Sequence, residues 1–143
     1  MVSDGLLVRA VTRTEARRAA IEATGAECWI GTPDRLATLR GALDGITILC
    51  WMLGSAAGSP EELRALHTSR LQFFLTQAID TTIRGFVFEE RGTSTPAQQL
   101  LEGAQAARAL VERNAIPARF LTADPDDTAA WLSDARAAVD SLL

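Results

Sequence analysis

Glu89, Glu90 and His67 are the side chains in this sequence that we consider as candidates to move protons in an enzyme. Glu89 and Glu90 are adjacent carboxylates that follow an apolar run, and either could act as a general acid or base. Adjacent carboxylates at a solvated strand end are the more common arrangement, and that interpretation is favoured. His67 is the only histidine, and without a histidine or cysteine partner in its sequence context a surface or interface role is favoured over catalysis. The sequence therefore predicts no catalytic residue.

Two further groups have side chains that bind metals in other proteins. Asp124, Asp126 and Asp127 have the spacing of a metal-binding cluster, but helix capping and compensation of the helix dipole explain them better. Cys28 and Cys50 each lie inside an apolar stretch and are predicted to be buried free thiols. We therefore expect neither a metal site nor a disulfide.

Four helix starts are marked by a capping residue followed by proline. The side chain of the first residue can accept a backbone N–H, and the proline occupies the first helical position, where no N–H is needed. Ser59 with Glu62, and Thr95 with Gln98, also have the spacing of a capping box. The four pairs are Thr32-Pro33, Ser59-Pro60, Thr95-Pro96 and Asp124-Pro125.

Five short apolar runs alternate with segments of helical periodicity. The helical pattern places Leu36, Leu39 and Leu43 on one face, and it turns the alanines of the first helix (Ala16, Ala20 and Ala23) inward. The apolar runs lie at residues 6–11, 28–30, 46–53, 85–88 and 118–121. Five strand–helix units of this kind predict an α/β fold of three layers, with helices on both faces of a parallel sheet.

The composition of the runs also predicts the order of the strands. Residues 46–53 are almost wholly apolar, which is typical of a central strand covered on both faces. The run at 28–30 is short and the run at 118–121 contains Arg119, so both suit edge positions. A sheet of order 2-1-3-4-5 fits these constraints, and no linker interrupts residues 1–143, which are predicted to form a single domain.

This strand order predicts where a ligand would bind. In open parallel sheets the ligand crevice lies beyond the carboxyl ends of the strands, at the point where the order reverses. In the order 2-1-3-4-5 that point falls between the first and third strands. The loops there are Thr12-Arg13-Thr14 and the small-residue turn at 54–58. Ordinary turn formation and a solvated arginine at a helix start remain the alternative interpretation of both loops.

The segment "VRAVTRTEARRAAIEATGAECWIGTPDRLATLRGALDGITILCWMLGSA" resembles the atypical short-chain dehydrogenase/reductases, the NmrA-like and NAD-dependent epimerase-like Rossmann proteins. The likeness lies in the order of elements: strand, arginine turn, helix, "GAE", strand, acidic turn, a segment ending "AL-G", and an apolar strand ending in small residues. It continues more weakly through "RGFVFEERGT" and "IPARFLTADP". It implies a Rossmann-like fold and NADP or NAD as cofactor.

The resemblance also implies roles for individual residues. Thr12 and Arg13 fall where the family commonly meets the adenosine 2′-phosphate, and Gly54 and Ser55 fall where a turn passes the adenosine ribose. Thr32, with Asp34, matches the acidic turn that can touch adenine, although helix capping by Thr32 is the favoured alternative. The candidate cofactor-binding residues are therefore Thr12, Arg13, Thr32, Gly54 and Ser55.

The sequence departs from this family in two ways. The family opens with a strand and a glycine-rich loop that holds the pyrophosphate, and neither is present in this sequence. Losing two or three hydrogen bonds to a phosphate removes about 4–6 kcal/mol, which weakens a micromolar site to about millimolar. The family's acid–base pair is a tyrosine with a lysine, and this chain contains neither residue, since all 14 basic residues are arginine. Nucleotide binding is therefore expected to be weak or lost.

The composition restricts the remaining functions. A net charge of −4 argues against nucleic-acid binding, which requires a cationic surface. The longest apolar run is far shorter than the ~20 residues of a membrane helix, and no signal peptide opens the sequence. We therefore expect a cytoplasmic protein with neither a membrane nor a nucleic acid as partner.

Three functions fit these observations. The first is a degenerate NAD(P)-binding Rossmann-like protein without dehydrogenase activity. The second is a homo-oligomeric interaction module, and the third is an N-terminally truncated form of an NAD(P)-dependent reductase or epimerase.

Phe73, Phe74 and Leu75 are adjacent in one helix and point across too wide an arc to be covered by one sheet. A homodimer through helices at 60–80 and 96–113 is therefore expected.

Overall fold

The computed structural model describes Met1–Leu143 and has an α/β fold with five strands and five α-helices. The strands are β1 (Arg9–Thr12), β2 (Glu27–Ile30), β3 (Ile48–Trp51), β4 (Gly85–Glu89) and β5 (Ala118–Leu121). The helices are α1 (Arg18–Glu22), α2 (Pro60–His67), α3 (Ser69–Ile79), α4 (Ala97–Arg113) and α5 (Thr128–Asp140). The predicted fold class and the number of strands are confirmed. No helix combines the length and the apolar character needed to cross a membrane.

The five strands are all parallel and pair as two sheets. β1 pairs with β2, while β3, β4 and β5 form a second sheet in that order. These neighbours are those of the predicted order 2-1-3-4-5. The difference is that β1 and β3 belong to separate sheets, so the order is not realised as one continuous hydrogen-bonded sheet.

The chain divides into two compact units, Met1–Asp44 and Gly45–Leu143. The smaller unit contains β1, β2 and α1, and the larger unit contains the three-stranded sheet with α2 to α5. The prediction that residues 1–143 form a single Rossmann-like domain stays a prediction.

Arg9 connects the parts of the smaller unit. Its Nε donates to Glu27 Oε2 at 2.9 Å, and its Nη1 donates to the carbonyls of Ala42 and Asp44 at 2.9 and 3.0 Å. Its guanidinium also lies over the ring of Trp29, 5.6 Å from the centroid. This one side chain thus joins both strands to the end of the unit. The smaller unit as a whole buries few apolar residues: Ala26, Cys28, Leu39, Ala42 and Leu43.

The helix predicted to begin at Thr32-Pro33 does not form. Two 3₁₀ turns, Leu36–Leu39 and Gly41–Leu43, stand in its place. Thr32 uses its hydroxyl to accept the N–H of Asp34, while its own N–H donates to the Thr38 hydroxyl. Such local bonds between side chains and backbone compete with helical bonds, and this competition explains the error. The predicted leucine face is kept only in part, because Leu39 and Leu43 are buried and Leu36 is partly exposed.

The first helix is also shorter and more exposed than predicted. A 3₁₀ turn at Glu15–Arg17 precedes α1, and α1 has no buried residue. Ala16, Ala20 and Ala23 are exposed, so the prediction that they pack inward is wrong. The small side chains permit close packing but do not enforce it.

The core of the larger unit is built on β4, of which all five residues are buried. The prediction of a central strand at 46–53 is wrong for this sheet, since β3 pairs with β4 alone and lies at an edge. Cys50 is exposed on β3, whereas Cys28 is buried as predicted. A run of apolar residues indicates covered faces but carries no information about how many neighbours a strand has.

The Ser59-Pro60 start is confirmed in full. Ser59 Oγ accepts the N–H of Glu62, and Glu62 Oε2 accepts the N–H of Ser59 at 2.8 Å. The helix predicted over 60–80 is interrupted at Thr68, whose hydroxyl donates to the Arg64 carbonyl at 2.6 Å. Bonding of this kind back to the preceding turn bends helices, and here the chain restarts as α3.

The other two predicted caps differ in the structure. α4 begins at Ala97 without a side-chain cap, and Gln98 donates to Glu102 instead of completing a capping box with Thr95. α5 begins at Thr128, and Asp127 caps it by accepting the N–H of Ala130 at 3.0 Å. The proline pattern therefore predicts the positions of these helices to within a few residues, but not their caps.

Candidate functional site

The carboxyl ends of β1 and β2 bring three of the predicted site residues together. The N–H of Gly31 donates to the Thr12 carbonyl at 2.9 Å, which joins the two strand ends. Beyond them, Arg13 Nη2 lies 3.6 Å from Asp34 Oδ2, and the Thr32 hydroxyl donates to the same oxygen at 3.1 Å. The arginine turn and the acidic turn, which the sequence analysis identified separately, thus meet at the Asp34 carboxylate.

The Arg13–Asp34 pair determines what this loop could bind. Both side chains are about half exposed, at 55% and 45%. Ion pairs at such positions contribute about 0–1 kcal/mol, so an anion could displace Asp34 from Arg13 at little cost. The same carboxylate would nevertheless remain close to that anion and repel it.

Gly54, at the carboxyl end of β3, is bound within the larger unit. Its N–H donates to Glu89 Oε2 at 2.7 Å, and its carbonyl accepts the N–H of Thr95 at 3.1 Å. A Cβ at Gly54 would lie 2.5 Å from the Arg91 carbonyl oxygen, and one at Gly92 would lie 1.9 Å from the Gly54 carbonyl oxygen. The backbones touch here, so both positions require glycine. Ser55, the next residue, is exposed.

Glu89 is a buried carboxylate, with 5% of its surface exposed. One oxygen accepts the Gly54 N–H, and the other accepts the indole N–H of Trp131 at 2.8 Å. The interpretation as a solvated strand end is wrong for this residue. The strand continues one residue past the apolar run, and no sequence signal identified Trp131 of α5 as its partner.

Glu90 takes a different partner from that of its neighbour. It forms an ion pair with Arg108 of α4, whose guanidinium lies 3.6 Å from the centroid of the Phe120 ring. Because the side chains of successive residues in a strand point to opposite faces of the sheet, the Glu89 and Glu90 carboxylates lie on opposite faces. They do not form a paired acid–base site.

His67 is fully buried, so the predicted surface or interface role is wrong. Its ring meets the edge of Phe88 at a centroid distance of 6.2 Å, and neither ring nitrogen makes a hydrogen bond of normal geometry, although the Leu53 backbone lies close enough to interact. Burial lowers the pKa of His67 from 6.5 to about 4, and the nearby Leu53 carbonyl opposes part of that shift. The imidazole is therefore neutral at neutral pH and belongs to the core.

Two of the three aspartates near residue 125 act as a local cap or an ion-pair partner. Asp124 accepts the N–H of Asp126 at 3.0 Å and a bond from Arg91 at 2.9 Å, while Asp127 caps α5. The interpretation as capping residues holds for Asp127 alone, and the prediction that Asp124 caps this helix is wrong.

The predicted cofactor site is divided between the two units. Thr12, Arg13 and Thr32 belong to the smaller unit, and Gly54 and Ser55 belong to the larger. Cofactor binding by these residues stays a prediction.

Comparisons with known proteins give matches of structure only. No family model matches the chain, and no curated protein sequence matches it either. The crystal structure of gox2253 matches with a TM-score of 0.64 and 16% identity, over 83% of this chain and 44% of that chain. The Citrobacter sp. triphenylmethane reductase complexed with NADP(H) matches with a TM-score of 0.59 and 18% identity, over 78% of this chain and 38% of that chain.

A second structure of the Citrobacter reductase gives nearly the same result, with a TM-score of 0.58 and 19% identity. At such identities the likeness shows the fold alone. The Rossmann-like α/β fold expected from the resemblance is therefore confirmed. The chain spans less than half the length of these structures, at 44% and 38%.

Proposed function

We propose that this chain is a degenerate NAD(P)-binding Rossmann-like protein, with weak or lost nucleotide binding and no dehydrogenase activity of its own. One observation carries this proposal: two of the residues predicted to lie beside a nucleotide, Arg13 and Gly54, already face carboxylates. The Arg13 guanidinium lies beside Asp34, and the Gly54 N–H donates to Glu89. A phosphate group at Arg13 would have to compete with the Asp34 carboxylate.

The proton-transfer groups support the same proposal. Glu89 has a donor on each oxygen, and His67 is buried in the core. The tyrosine–lysine pair that the resemblance leads us to look for is missing from the sequence. We expect no oxidation of NADH or NADPH with carbonyl substrates. Turnover that persists at equal specific activity after repeated purification, and that Arg13→Ala abolishes, would overturn the proposal.

Nucleotide binding itself is tested by nuclear magnetic resonance with NADPH. We expect weak binding that shifts signals from residues 12–14 and 54–58 and that falls in Arg13→Ala. Arg17→Ala is the matched control, because Arg17 is a nearby exposed arginine with no predicted role. Asp34→Asn should strengthen binding about two- to fivefold, since it removes the competing carboxylate. Sub-micromolar binding, or equal effects of the two arginine variants, would contradict the assignment.

The second candidate function is a homo-oligomeric interaction module. The observation that favours it is an exposed phenylalanine, because Phe73 is 55% exposed on α3 while Phe74 is buried. Leu101 on α4 is also 50% exposed. We infer that helices 60–80 and 96–113 pair with the same helices of a second copy about a two-fold axis.

This homodimer is tested by light scattering coupled to size exclusion. Phe73→Glu should convert the dimer to a monomer, because it places like charges at an apolar contact. Leu132→Glu is the control, since Leu132 is exposed to a similar extent on α5, outside the proposed interface. A chain that is monomeric at high micromolar concentration would contradict the dimer.

A further inference from the structure

The loop between β4 and α4 lies over part of the small-residue turn at 54–58. We call residues 91–95 of this loop the strap. A Cβ at Gly54 would lie 2.5 Å from the Arg91 carbonyl oxygen and 2.9 Å from the Gly92 Cα, so the backbone of the strap covers Gly54. Gly54 is buried as a result. The strap and the turn both belong to the larger unit.

Few contacts hold the strap in this position. At its end the Thr95 N–H donates to the Gly54 carbonyl at 3.1 Å, and the Thr95 hydroxyl lies 3.5 Å from the Ala56 carbonyl. At its start Arg91 Nη2 donates to Asp124 Oδ2 at 2.9 Å, and these two side chains are 53% and 47% exposed. An ion pair at such a position changes an equilibrium by about fivefold at most. The strap is therefore anchored weakly at its start.

The middle of the strap is open to solvent. Thr93 and Ser94 are both exposed. Gly92 can adopt backbone conformations that are closed to other residues, so the chain can bend there. Few buried contacts and a solvent-exposed backbone are typical of segments that open locally at low free energy. The strap has both features.

We propose that the strap closes over the turn at 54–58 and must open before a nucleotide can contact Gly54, an inference that rests on the proposed function. The backbone of the closed strap occupies the space beside Gly54 that a ligand would need. A nucleotide therefore binds only those molecules in which the strap is open. The apparent affinity falls in proportion to that fraction, which is a cause of weak binding distinct from the Asp34 carboxylate.

Hydrogen exchange of the Thr95 amide measures the opening of the strap. Arg91→Ala removes the anchor at Asp124 and should accelerate this exchange by up to about fivefold. Arg119→Ala is the matched control, because Arg119 is also an exposed arginine of the larger unit and lies outside the strap. The amide of Glu90, which is bonded to the end of β5, is an internal reference and should not change.

Gly92→Ala should open the strap further than Arg91→Ala does. The added Cβ would lie 1.9 Å from the Gly54 carbonyl oxygen, so the closed position becomes inaccessible to this variant. Thr93→Ala, at an exposed position of the strap, is its control and should leave the exchange of Thr95 unchanged. If neither Arg91→Ala nor Gly92→Ala accelerates the exchange of Thr95 beyond its control, the proposal is wrong.

Binding of NADPH, followed by the magnetic resonance signals of residues 54–58, tests whether opening limits access. In Gly92→Ala the affinity should rise by the same factor as the exchange of Thr95, because both follow the open fraction. Faster exchange without tighter binding, or with no binding in any chain, would overturn the proposal. Failure of the proposed function is distinguishable, since it would be seen as turnover of NADPH or as sub-micromolar binding by the parent chain.

Discussion

His67 is a single residue whose burial makes stability depend on pH. Its pKa falls from 6.5 to about 4 on folding, so the unfolded chain binds the proton more tightly. Stability from this residue is complete above pH 6.5 and is lost as the pH falls towards 4. The loss amounts to at most about 3 kcal/mol. In His67→Leu this part of the pH dependence should vanish, as measured by urea unfolding across that range. An unchanged slope of stability against pH would contradict the assignment.

Glu89 is the second residue for which we predict an effect on the free energy of unfolding. Glu89→Gln should lower the free energy of unfolding by roughly 2–3 kcal/mol, because an amide N–H₂ replaces one acceptor and faces a donor. Trp131→Phe removes a single bond to the carboxylate and should cost less. Glu90→Gln is the matched control at a partly exposed site. Equal unfolding midpoints for Glu89→Gln and Glu90→Gln would show that the buried bonds contribute nothing.

The sequence predicts that Arg13 and the acidic turn lie close together, but not which partners their side chains take. The acidic turn was identified through Thr32 and Asp34, and in the structure Asp34 pairs with Arg13 and accepts the Thr32 hydroxyl. The burial of His67 and Glu89 could not be predicted, because it depends on helices and loops distant in sequence. Neither an isolated histidine nor a pair of glutamates carries a local signal for the neighbours that bury it.

At the scale of elements, the turn that follows α4 contains a strained residue. Ala115 has φ = 53°, and the chain closes there with the N–H of Ile116 on the Val111 carbonyl at 2.9 Å. This position favours glycine, because a Cβ is strained in the left-handed region. Ala115→Gly should therefore stabilise the protein by about 1 kcal/mol.

The control for Ala115→Gly is the same change inside the helix. Ala109→Gly, at an exposed site of α4, should destabilise by up to about 1 kcal/mol, since glycine is a poor helix former. Chemical denaturation of both variants measures the difference. Destabilisation by both substitutions would show that the backbone at Ala115 carries no strain that glycine relieves.

The capping signals show how far local patterns extend. Ser59 forms the full capping box that its spacing predicts, because both partners lie within one turn. Thr95 has the same spacing, yet its N–H donates to Gly54 and its hydroxyl lies 3.5 Å from the Ala56 carbonyl. These contacts with distant residues engage Thr95, so it does not cap α4. Local spacing therefore predicted where helices lie better than how they begin.

At the scale of the whole molecule, the two units should differ in resistance to proteolysis. The smaller unit has few buried apolar residues, and α1 has none, so its segments should open at low free energy. The chain contains no lysine, so trypsin cleaves only after arginine. We expect the first cuts at Arg13, Arg17 and Arg18.

Arg108 provides the internal comparison for proteolysis. It pairs with Glu90 and lies over Phe120 in the larger unit, so cleavage after it should be late. Mass spectrometry of a trypsin time course gives the order of cuts. Early cleavage at Arg108, before any cut in residues 1–44, would contradict the expected difference between the units.

The fold class was predictable because apolar runs and helical periodicity alternate five times along the chain. The pairing of strands was predictable only in part. Parallel neighbours follow from strand–helix–strand connections, as for β3, β4 and β5. Whether β1 and β3 pair depends on backbone contacts between distant segments, which no local pattern of side chains reports.

The three tryptophans can be used as optical reporters of unfolding. The chain contains no tyrosine, so its intrinsic fluorescence comes from Trp29, Trp51 and Trp131. Trp29 lies beneath the Arg9 guanidinium in the smaller unit, while the indole N–H of Trp51 is buried without a partner and that of Trp131 meets a carboxylate. Their fluorescence emission maxima should therefore differ, with that of Trp51 at the shortest wavelength. Chains that keep one tryptophan each would follow the melting of each unit separately, without any added dye.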